Sequence, residues 1–372
     1  MQVLQSLESI EQEFYDSVYS ISHSDKTVQT YKTAINKLRK FLDEKYQINE
    51  IVLKEKILNE EIDMYRFLRN FIIYLDQNGV KSKGVRTYLS GIKGYLRHLG
   101  IRINSDDLKQ FIRLPKISRT HEIPLDKEII RRVLQNVPPK LQTAILVAAT
   151  SGLRVGELTQ LKISDVEFGS NPTKIHVRAD IAKGKQARET FISQEATISL
   201  KDYLRSNFKW SEPTGPLFDA YIFGKTTNKG KNPQILGHNP KGAKLTLQTS
   251  LLYHLRKNPE LLQKNENGYH SIHFHAFRKF FRTMVGNASG RDFAEALMGH
   301  QFYMSTYYQL PEDKKQELYL KAEPQLSISD TKSTENNLKV LTEKHEHLEE
   351  QFSGLLKYLR VNSIEVPSSM IN

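Results

Sequence analysis

A short basic stretch with two prolines divides this chain of 372 residues into two parts of different character. The stretch covers residues 113–125 and carries Pro115, Pro124 and three Arg or Lys residues. A proline lacks the backbone donor and restricts the residue before it, so neither a helix interior nor a central strand fits here. The sequence therefore predicts an extended basic linker between a domain at residues 1–112 and a second domain that begins at residue 126.

The first part has the apolar periodicity of amphipathic helices. In one segment the apolar residues recur at steps of three and four and share one helical face; they are Val28, Tyr31, Ile35, Leu38, Phe41 and Leu42. Ser24 or Asp25 could cap the start of this helix. Two more helices are predicted from Asp63 to Gln77 and from Ser82 to Leu99, where Gly100 ends the pattern.

The second part mixes helices with a small sheet. Residues 141–149 are strongly apolar and predict a buried helix, which Gly152 ends. Apolar and polar residues then alternate from Lys174 to Ile181, which is the period of a strand. A turn and a return strand within residues 183–192 complete a hairpin. The predicted fold is therefore mostly α with a small β-sheet, a helical domain followed by a mixed α/β domain at residues 126–325.

The end of the chain, residues 326–372, is predicted as a polar linker followed by an amphipathic helix. The apolar residues of this helix recur at steps of three, four or seven; they are Leu338, Leu341, Leu348, Phe352 and Leu355. Two interpretations stay open. The helix could form a short coiled coil between protomers, or it could dock onto its own domain.

The composition favours a polyanionic partner. The chain carries 54 Lys and Arg against 42 Asp and Glu, a net charge of +12. When a basic protein binds DNA, cations are released from the DNA, and this release favours the association. Many basic proteins nevertheless do not bind DNA. The absence of cysteine excludes disulfides, thiolate metal sites and a cysteine nucleophile. Neither a signal peptide nor a membrane-spanning apolar stretch is evident, so we expect a cytoplasmic protein at the nucleoid.

Five cationic or imidazole side chains are spread along the second part: Arg154, Lys183, His275, Arg278 and His300. Phosphodiester cleavage develops negative charge on two non-bridging oxygens, and preorganised donors stabilise it best. Arginine suits this task because its planar fork meets two oxygens and keeps its charge. Together the five side chains could surround one phosphodiester with no metal ion or cofactor. Singly, each pattern is common, and Arg154 could simply pair with Glu157.

These motifs resemble those of the tyrosine recombinase (phage integrase) family. The resemblance covers about residues 20–325 and is carried by SGLRVGEL at residues 151–158, HAFRKFF at residues 275–281 and LMGH at residues 297–300. The last motif, with the tyrosines behind it, is most similar to archaeal-type integrases and transposases of mobile elements. The resemblance implies a helical core-binding domain and a catalytic domain that breaks and rejoins DNA through a covalent 3′-phosphotyrosyl intermediate.

The resemblance also implies the role of each side chain. Arg154 and Arg278 would clamp the phosphate with help from His275 and His300. Lys183 begins the hairpin turn, where the family has its lysine, and would protonate the leaving 5′-oxygen ahead of its neighbour Lys185.

The position of the nucleophile departs from the family pattern. The family's tyrosine usually lies nine residues beyond the histidine, where this chain has Gln309. A loop one residue shorter would make Tyr308 the nucleophile, with Tyr307 as the second candidate. Tyr303 lies too near His300 for this role.

The implied function is a site-specific DNA recombinase that needs neither ATP nor metal. Strand exchange joins four active sites on two duplexes, so the resemblance implies a homotetramer on two sites of double-stranded DNA. Two alternatives stay open: a type IB-like topoisomerase with the same covalent chemistry, and a non-catalytic DNA-binding protein on an integrase scaffold.

Overall fold

The computed structural model describes residues 7–117, 122–208, 219–224, 240, 242–266, 268–300, 310–329 and 352. The chain separates into two compact units, Met1–Arg119 and Thr120–Asn372, and the boundary lies within residues 113–125. Each unit has its own apolar core. Within the described ranges, every helix is too short or too polar to cross a membrane.

The first unit is helical throughout its regular structure. Its helices are α1 (Leu7–Ser22), α2 (Asp25–Tyr46), α3 (Glu50–Leu58), α4 (Met64–Gln77), α5 (Ser82–His98) and α6 (Ser105–Phe111). The predicted helices at residues 63–77 and 82–99 are confirmed as α4 and α5. Ser24, one of the two predicted caps, accepts a hydrogen bond from the backbone N–H of Thr27 at the start of α2.

The core of the first unit is made by the predicted apolar faces. Ile35 and Leu38 of α2 are fully buried, as are Val85 and Ile92 of α5. Gly91 lets α5 approach α2 closely, because a Cβ atom there would lie 2.9 Å from the ring of Tyr31. The spacing of apolar residues thus determines which helix faces meet.

The second unit combines eight described helices with a three-stranded sheet. The helices are α7 (Lys127–Gln135), α8 (Pro139–Ser151), α9 (Val155–Leu158), α10 (Gln194–Phe208), α11 (Ala243–Arg256), α12 (Phe274–Ser289), α13 (Arg291–Met298) and α14 (Glu312–Leu326). The antiparallel sheet has the order β1 (Val166–Glu167), β2 (Thr173–Val177), β3 (Arg188–Ile192). The prediction of a mostly α fold with a small sheet is confirmed.

The predicted first strand was too long. It was expected to continue to Ile181, but β2 ends at Val177. The side chain of Arg178 turns away to Asp165 and to the carbonyl oxygen of Gln160, the latter at 3.2 Å. The backbone forms a turn here, in which the N–H of Ala182 donates to the carbonyl oxygen of Arg178 at 3.1 Å, although the apolar alternation continues.

Helix α12 lies at the centre of the second unit. Phe277 and Phe281 are completely buried on it. Gly152, which ends α8 with φ of 65°, packs against this helix, and a Cβ atom there would lie 2.4 Å from the ring of Phe281. Only glycine combines this left-handed backbone with so close an approach. The contact fixes the start of the segment that carries Arg154.

Candidate active site

The most enclosed functional side chain is Arg278 on α12, which is only 1% exposed. Its Nη1 donates to the carbonyl oxygen of Gly152, and its Nη2 donates to that of Met298 at 2.8 Å. Nη2 also donates to Nε2 of His300 at 2.9 Å. Of the five N–H groups of an arginine, these contacts leave the Nε–H and one Nη1–H. Among the described residues, Nε has no hydrogen-bond partner.

The charge of Arg278 is partly balanced by nearby carboxylates. Burial lowers its pKa to about 9, and repulsion from Arg154 adds to that effect, whereas Glu157 and Glu295 oppose it. The side chain therefore stays cationic at neutral pH. Because Arg154 acts on this pKa, the two predicted clamp arginines share one electrostatic environment.

Arg154 stands at the N-terminus of α9, directly before the helix begins. Its backbone N–H donates to Oε2 of Glu157 at 2.9 Å, and its Nη1 donates to Oε1 at the same distance. Glu157 is 2% exposed, whereas the side chain of Arg154 is 26% exposed. The buried carboxylate thus anchors the arginine from behind and leaves part of its guanidinium at the surface.

A second arginine holds the same carboxylate. Arg188, at the start of β3, donates from Nη2 to Oε2 of Glu157 at 2.7 Å and from Nη1 to Oε1 at 3.3 Å. Burial alone would raise the pKa of Glu157, but the hydrogen bonds from Arg188 and Arg154 and the charge of Arg188 hold it below its ordinary value. Glu157 is therefore an anion buried between two cations.

Arg188 also joins the sheet to the helix that precedes His300. Its Nε donates to the carbonyl oxygen of Leu297 at 2.9 Å. A Cβ atom on Gly299 would lie 2.7 Å from Cδ of Arg188, so the glycine permits this close passage. This side chain therefore links the Arg154 end of the site to the His300 end.

His300 is held in place by the way α13 ends. Gly299 has φ of 65°, its N–H donates to the carbonyl oxygen of Ala296, and the N–H of His300 donates to that of Glu295. These are the two hydrogen bonds of a Schellman motif. The ring of His300 then contacts Oε2 of Glu295 through Nδ1 and Nη2 of Arg278 through Nε2. The structure thus brings Arg154, Arg278 and His300 together.

His275 lies one turn before Arg278, near the start of α12, and its side chain is exposed. Although the residue is exposed as a whole, partial desolvation of its ring and repulsion from Lys279, His273 and Arg278 lower the pKa of His275. A lowered pKa favours the neutral imidazole, which is the form that can accept a proton. Its role in cleavage stays a prediction.

Lys183 is not joined to these side chains by any hydrogen bond or ion pair among the described residues. It is exposed in the connection between β2 and β3 and makes no hydrogen bond or ion pair to the rest of the described chain. Lys185, two residues on, has φ of 54°, and its ammonium group donates to the carbonyl oxygen of Asp180 at 3.3 Å. The choice of Lys183 over Lys185 stays a prediction.

The predicted nucleophile Tyr308 lies outside the described residues, as do Tyr307, Tyr303 and Gln309. The same holds for almost all of the predicted C-terminal helix. Across the described residues, no group of three or more His, Asp or Glu side chains is arranged to hold a metal ion.

Comparison with protein-family models identifies both units of the chain. The phage integrase family matches residues 123–310, which is half of the chain, and the phage integrase SAM-like domain matches residues 9–98. This chain belongs to the phage integrase family. The first match includes Arg154, Arg278 and His300, which the structure brings together.

Relatives of this integrase-family chain have been named as tyrosine recombinases. XerD of Rickettsia bellii is 28% identical over 177 residues, covering 44% of this chain and 56% of that protein. XerA of Thermococcus kodakarensis is 28% identical over 145 residues, covering 38% of this chain and 49% of that protein. The chain thus spans about half the length of these two relatives. XerC of Staphylococcus aureus is 23% identical over 301 residues, covering 77% of this chain and 90% of that protein.

The fold of the chain is also that of solved integrases. A crystal structure of lambda integrase(75-356), a dimer bound to a COC′ core site, superposes with a TM-score of 0.55 at 16% identity. The superposition covers 82% of this chain and 98% of that one. It supports the assignment of both units to the integrase architecture.

Sequence reasoning missed Arg188 and Glu295, which hold the integrase site together. Glu295 could have been found from the Gly299 stop. A Schellman motif brings together the residue directly after the glycine and the residue four positions before the glycine. Arg188 gives a weaker signal. It opens the return strand, and only tertiary packing gives it partners: the contact of β3 with α13 brings it to Leu297, and the contact of β3 with α8, just before α9, brings it to Glu157.

Proposed function

We propose that this chain is a site-specific DNA recombinase that cleaves and rejoins DNA strands through a covalent 3′-phosphotyrosyl intermediate. One observation carries the proposal. The buried guanidinium of Arg278 is fixed by two backbone carbonyls and His300, beside the half-buried Arg154. Fixed cations of this kind stabilise the charge that develops on a phosphorus centre without reorganising during the reaction.

The reaction would proceed by in-line displacement at phosphorus. Oη of Tyr308 attacks, a bond forms between this oxygen and phosphorus, and the bond from phosphorus to the 5′-oxygen breaks. The phenol proton passes to a base, the role that we assign to His275, and the ammonium group of Lys183 gives a proton to the leaving 5′-oxygen. Arg154 and Arg278 donate to the non-bridging oxygens, and His300 supports the clamp by holding Nη2 of Arg278. The new ester keeps the energy of the old one, so rejoining is the same path in reverse.

The partner would be double-stranded DNA, and the active assembly would be a tetramer on two DNA sites at the nucleoid. The net charge of +12 supports the DNA partner. The solved lambda integrase structures include a dimer on a core site and a tetramer on a Holliday junction. Both are precedents within the family for assembly on DNA.

A nicked DNA substrate tests the covalent chemistry. The nick lets the cleaved strand diffuse away, so the protein stays attached to the 3′ end and is seen as a shifted band. Tyr308→Phe should abolish this adduct, because the phenol oxygen is the attacking atom, while DNA affinity changes by less than about twofold. Tyr307→Phe is the matched control and should still form the adduct.

The results separate the alternatives. An adduct that persists in Tyr308→Phe and disappears in Tyr307→Phe would move the nucleophile by one residue. No adduct from the unaltered protein, with intact DNA binding, would mean a non-catalytic DNA-binding protein. Relaxation of supercoiled DNA by a monomer, without exchange between two sites, would mean a type IB-like topoisomerase.

A further inference from the structure

We infer that Glu295 is a positioning residue that fixes the tautomer of His300 and, through it, the orientation of Arg278. The inference rests on the proposed function, since it explains how this chain would hold its phosphate clamp ready. Glu295 itself would touch neither the DNA nor the reacting atoms.

The backbone brings Glu295 and His300 together. They occupy the two positions of the Schellman motif that face each other across the Gly299 stop, where an apolar contact is common. Here the contact is a hydrogen bond between Oε2 of Glu295 and Nδ1 of His300. Glu295 lies four residues before Gly299, and His300 lies one residue after it. A carboxylate at this position can therefore reach the histidine without any adjustment of the helix.

The contact determines which ring nitrogen of His300 carries the hydrogen. A carboxylate only accepts, so Nδ1 must donate to Glu295. Nε2 is then left bare, and it accepts from Nη2 of Arg278 at 2.9 Å. In the other neutral tautomer, Nε2–H would point at an N–H of the arginine, and two donors would face each other. Glu295 thus selects the one neutral form of His300 that can hold Arg278.

The carboxylate is suited to this task because it stays ionised. Glu295 is 8% exposed, and burial by itself would raise its pKa. Hydrogen bonds from His300 and Arg282, and the charge of Arg282, nevertheless hold the pKa of Glu295 below its ordinary value. Arg282 is 40% exposed and contacts Oε1 of Glu295. Oε2 is therefore left to accept from His300.

The consequence for Arg278 is a fixed set of remaining donors. Among the described residues, Met298 and His300 hold Nη2 and Gly152 holds Nη1 on one side. The buried Nε–H and one Nη1–H keep no partner there and would be the donors to a phosphate. Loss of the acceptor on His300 would let the guanidinium plane turn. Arg278 would keep its charge, but its remaining N–H groups would no longer point toward the phosphate.

The test compares Glu295→Leu and Glu295→Gln with Asp292→Asn, which removes an exposed carboxylate from the same helix. The first readout is the tautomer of His300, which is measured by nitrogen-15 NMR of full-length protein labelled at histidine. The signal of His300 is assigned by its loss in His300→Gln. The second is the rate of adduct formation on nicked DNA at saturating protein, measured beside DNA affinity and thermal unfolding.

We expect His300 to be protonated at Nδ1 in the unaltered protein and in Glu295→Gln, whose amide oxygen can still accept. Glu295→Leu should lose this tautomer and slow adduct formation by about 100-fold, the cost of displacing a catalytic group by about 1 Å. Glu295→Gln should fall between the two, and Asp292→Asn should match the unaltered protein. DNA affinity should change by less than about twofold throughout.

Two results would overturn the inference. One is an unchanged His300 tautomer in Glu295→Leu. The other is equal loss of rate in the Leu and Gln variants, in step with their unfolding temperatures, since that indicates a purely structural role. If the unaltered protein forms no adduct, the proposed function fails while the tautomer measurement still decides whether Glu295 fixes His300.

Discussion

Two predicted parts of the catalytic machinery differ in how firmly the protein holds them. We call the arginine clamp the fixed end and the lysine turn the mobile end. At one end, Arg278 is 1% exposed and is held by two carbonyls and a histidine. At the other, Lys183 is exposed on a turn and makes no contact that would fix its ammonium group within the described chain. The clamp is thus built during folding, whereas the predicted acid keeps its hydration and its choice of rotamers.

This difference matches what each group has to do. The charge on the non-bridging oxygens is stabilised best by donors that need no reorganisation, so the arginines gain from burial. A general acid must approach one oxygen at the moment its bond breaks, and a flexible four-carbon stem on a turn can do so. The fixed end should therefore couple catalysis to stability, and the mobile end should not.

The largest expected effect is at the fixed end. Arg278→Met should slow adduct formation by about 100- to 1000-fold, as loss of one oxyanion donor does. It should also lower the free energy of unfolding, because the carbonyls of Gly152 and Met298 lose their donors at about 1–3 kcal/mol each. Adduct rates on nicked DNA and urea unfolding measure the two effects.

Arg154→Ala is the comparison that sharpens this result. Its side chain is 26% exposed and bonds to Glu157 alone among the described residues, so the rate should fall by a similar factor with a smaller loss of stability. A normal rate in either variant would remove that arginine from the clamp. Equal destabilisation in both would contradict the difference between a buried and a half-exposed guanidinium.

At the mobile end, Lys183→Ala should slow cleavage by about 100-fold, because the leaving 5′-oxygen loses its proton donor. Unfolding should be unaffected, since the side chain makes no contact to lose within the described residues. In a substrate with sulfur in place of the leaving 5′-oxygen, the leaving group is a thiolate, which departs without a proton. This substrate should therefore restore most of the rate. Adduct formation on the two substrates is the measurement.

Lys185→Ala is the matched control two residues away. It should cleave both substrates at nearly normal rates. If Lys185→Ala shows the selective loss that sulfur restores, and Lys183→Ala does not, the acid is Lys185. Loss in both variants that sulfur fails to restore would mean that the turn binds DNA instead of giving a proton.

The same contrast explains which parts of the structure the sequence could predict. Helices α4 and α5 were predicted within about a residue of their ends, because their apolar periodicity and the glycine stop at Gly100 act locally. The strand predicted to run to Ile181 was too long, because the backbone turns at Arg178, whose side chain contacts Asp165, and alternation reveals neither the turn nor the contact.

The site follows the same rule. Arg154, Arg278 and His300 lie in recognisable motifs, and the structure brings them together. Arg188 and Glu295 were missed because each acts across elements or across a helix stop, where tertiary packing decides the neighbours. Residues that support a site are therefore harder to predict than residues that face its substrate, since motifs reflect chemistry more directly than packing.

The smallest of these effects concerns the anion behind the fixed end. Glu157→Gln should destabilise the protein by about 1.5–3 kcal/mol at neutral pH, the contribution of hydrogen bonds to charged groups. It leaves Arg154 and Arg188 with a neutral acceptor in a buried position. Adduct formation should slow by about tenfold, because Arg154 keeps its backbone position and loses only its anchor. Urea unfolding and adduct rates are again the measurements.

The pH dependence decides whether the ion pair causes this loss. The folded protein lowers the pKa of Glu157, so its stabilising contribution is fully present above the ordinary pKa of about 4.3 and is lost as pH falls through the lower folded value. The stability gap between the unaltered protein and Glu157→Gln should therefore be constant near neutrality and close in acid. Glu189→Gln, a half-exposed carboxylate on the same strand as Arg188, should cost less than about 1 kcal/mol. A gap that does not close in acid would assign the loss to packing, and the fixed end would then owe its rigidity to shape instead of charge.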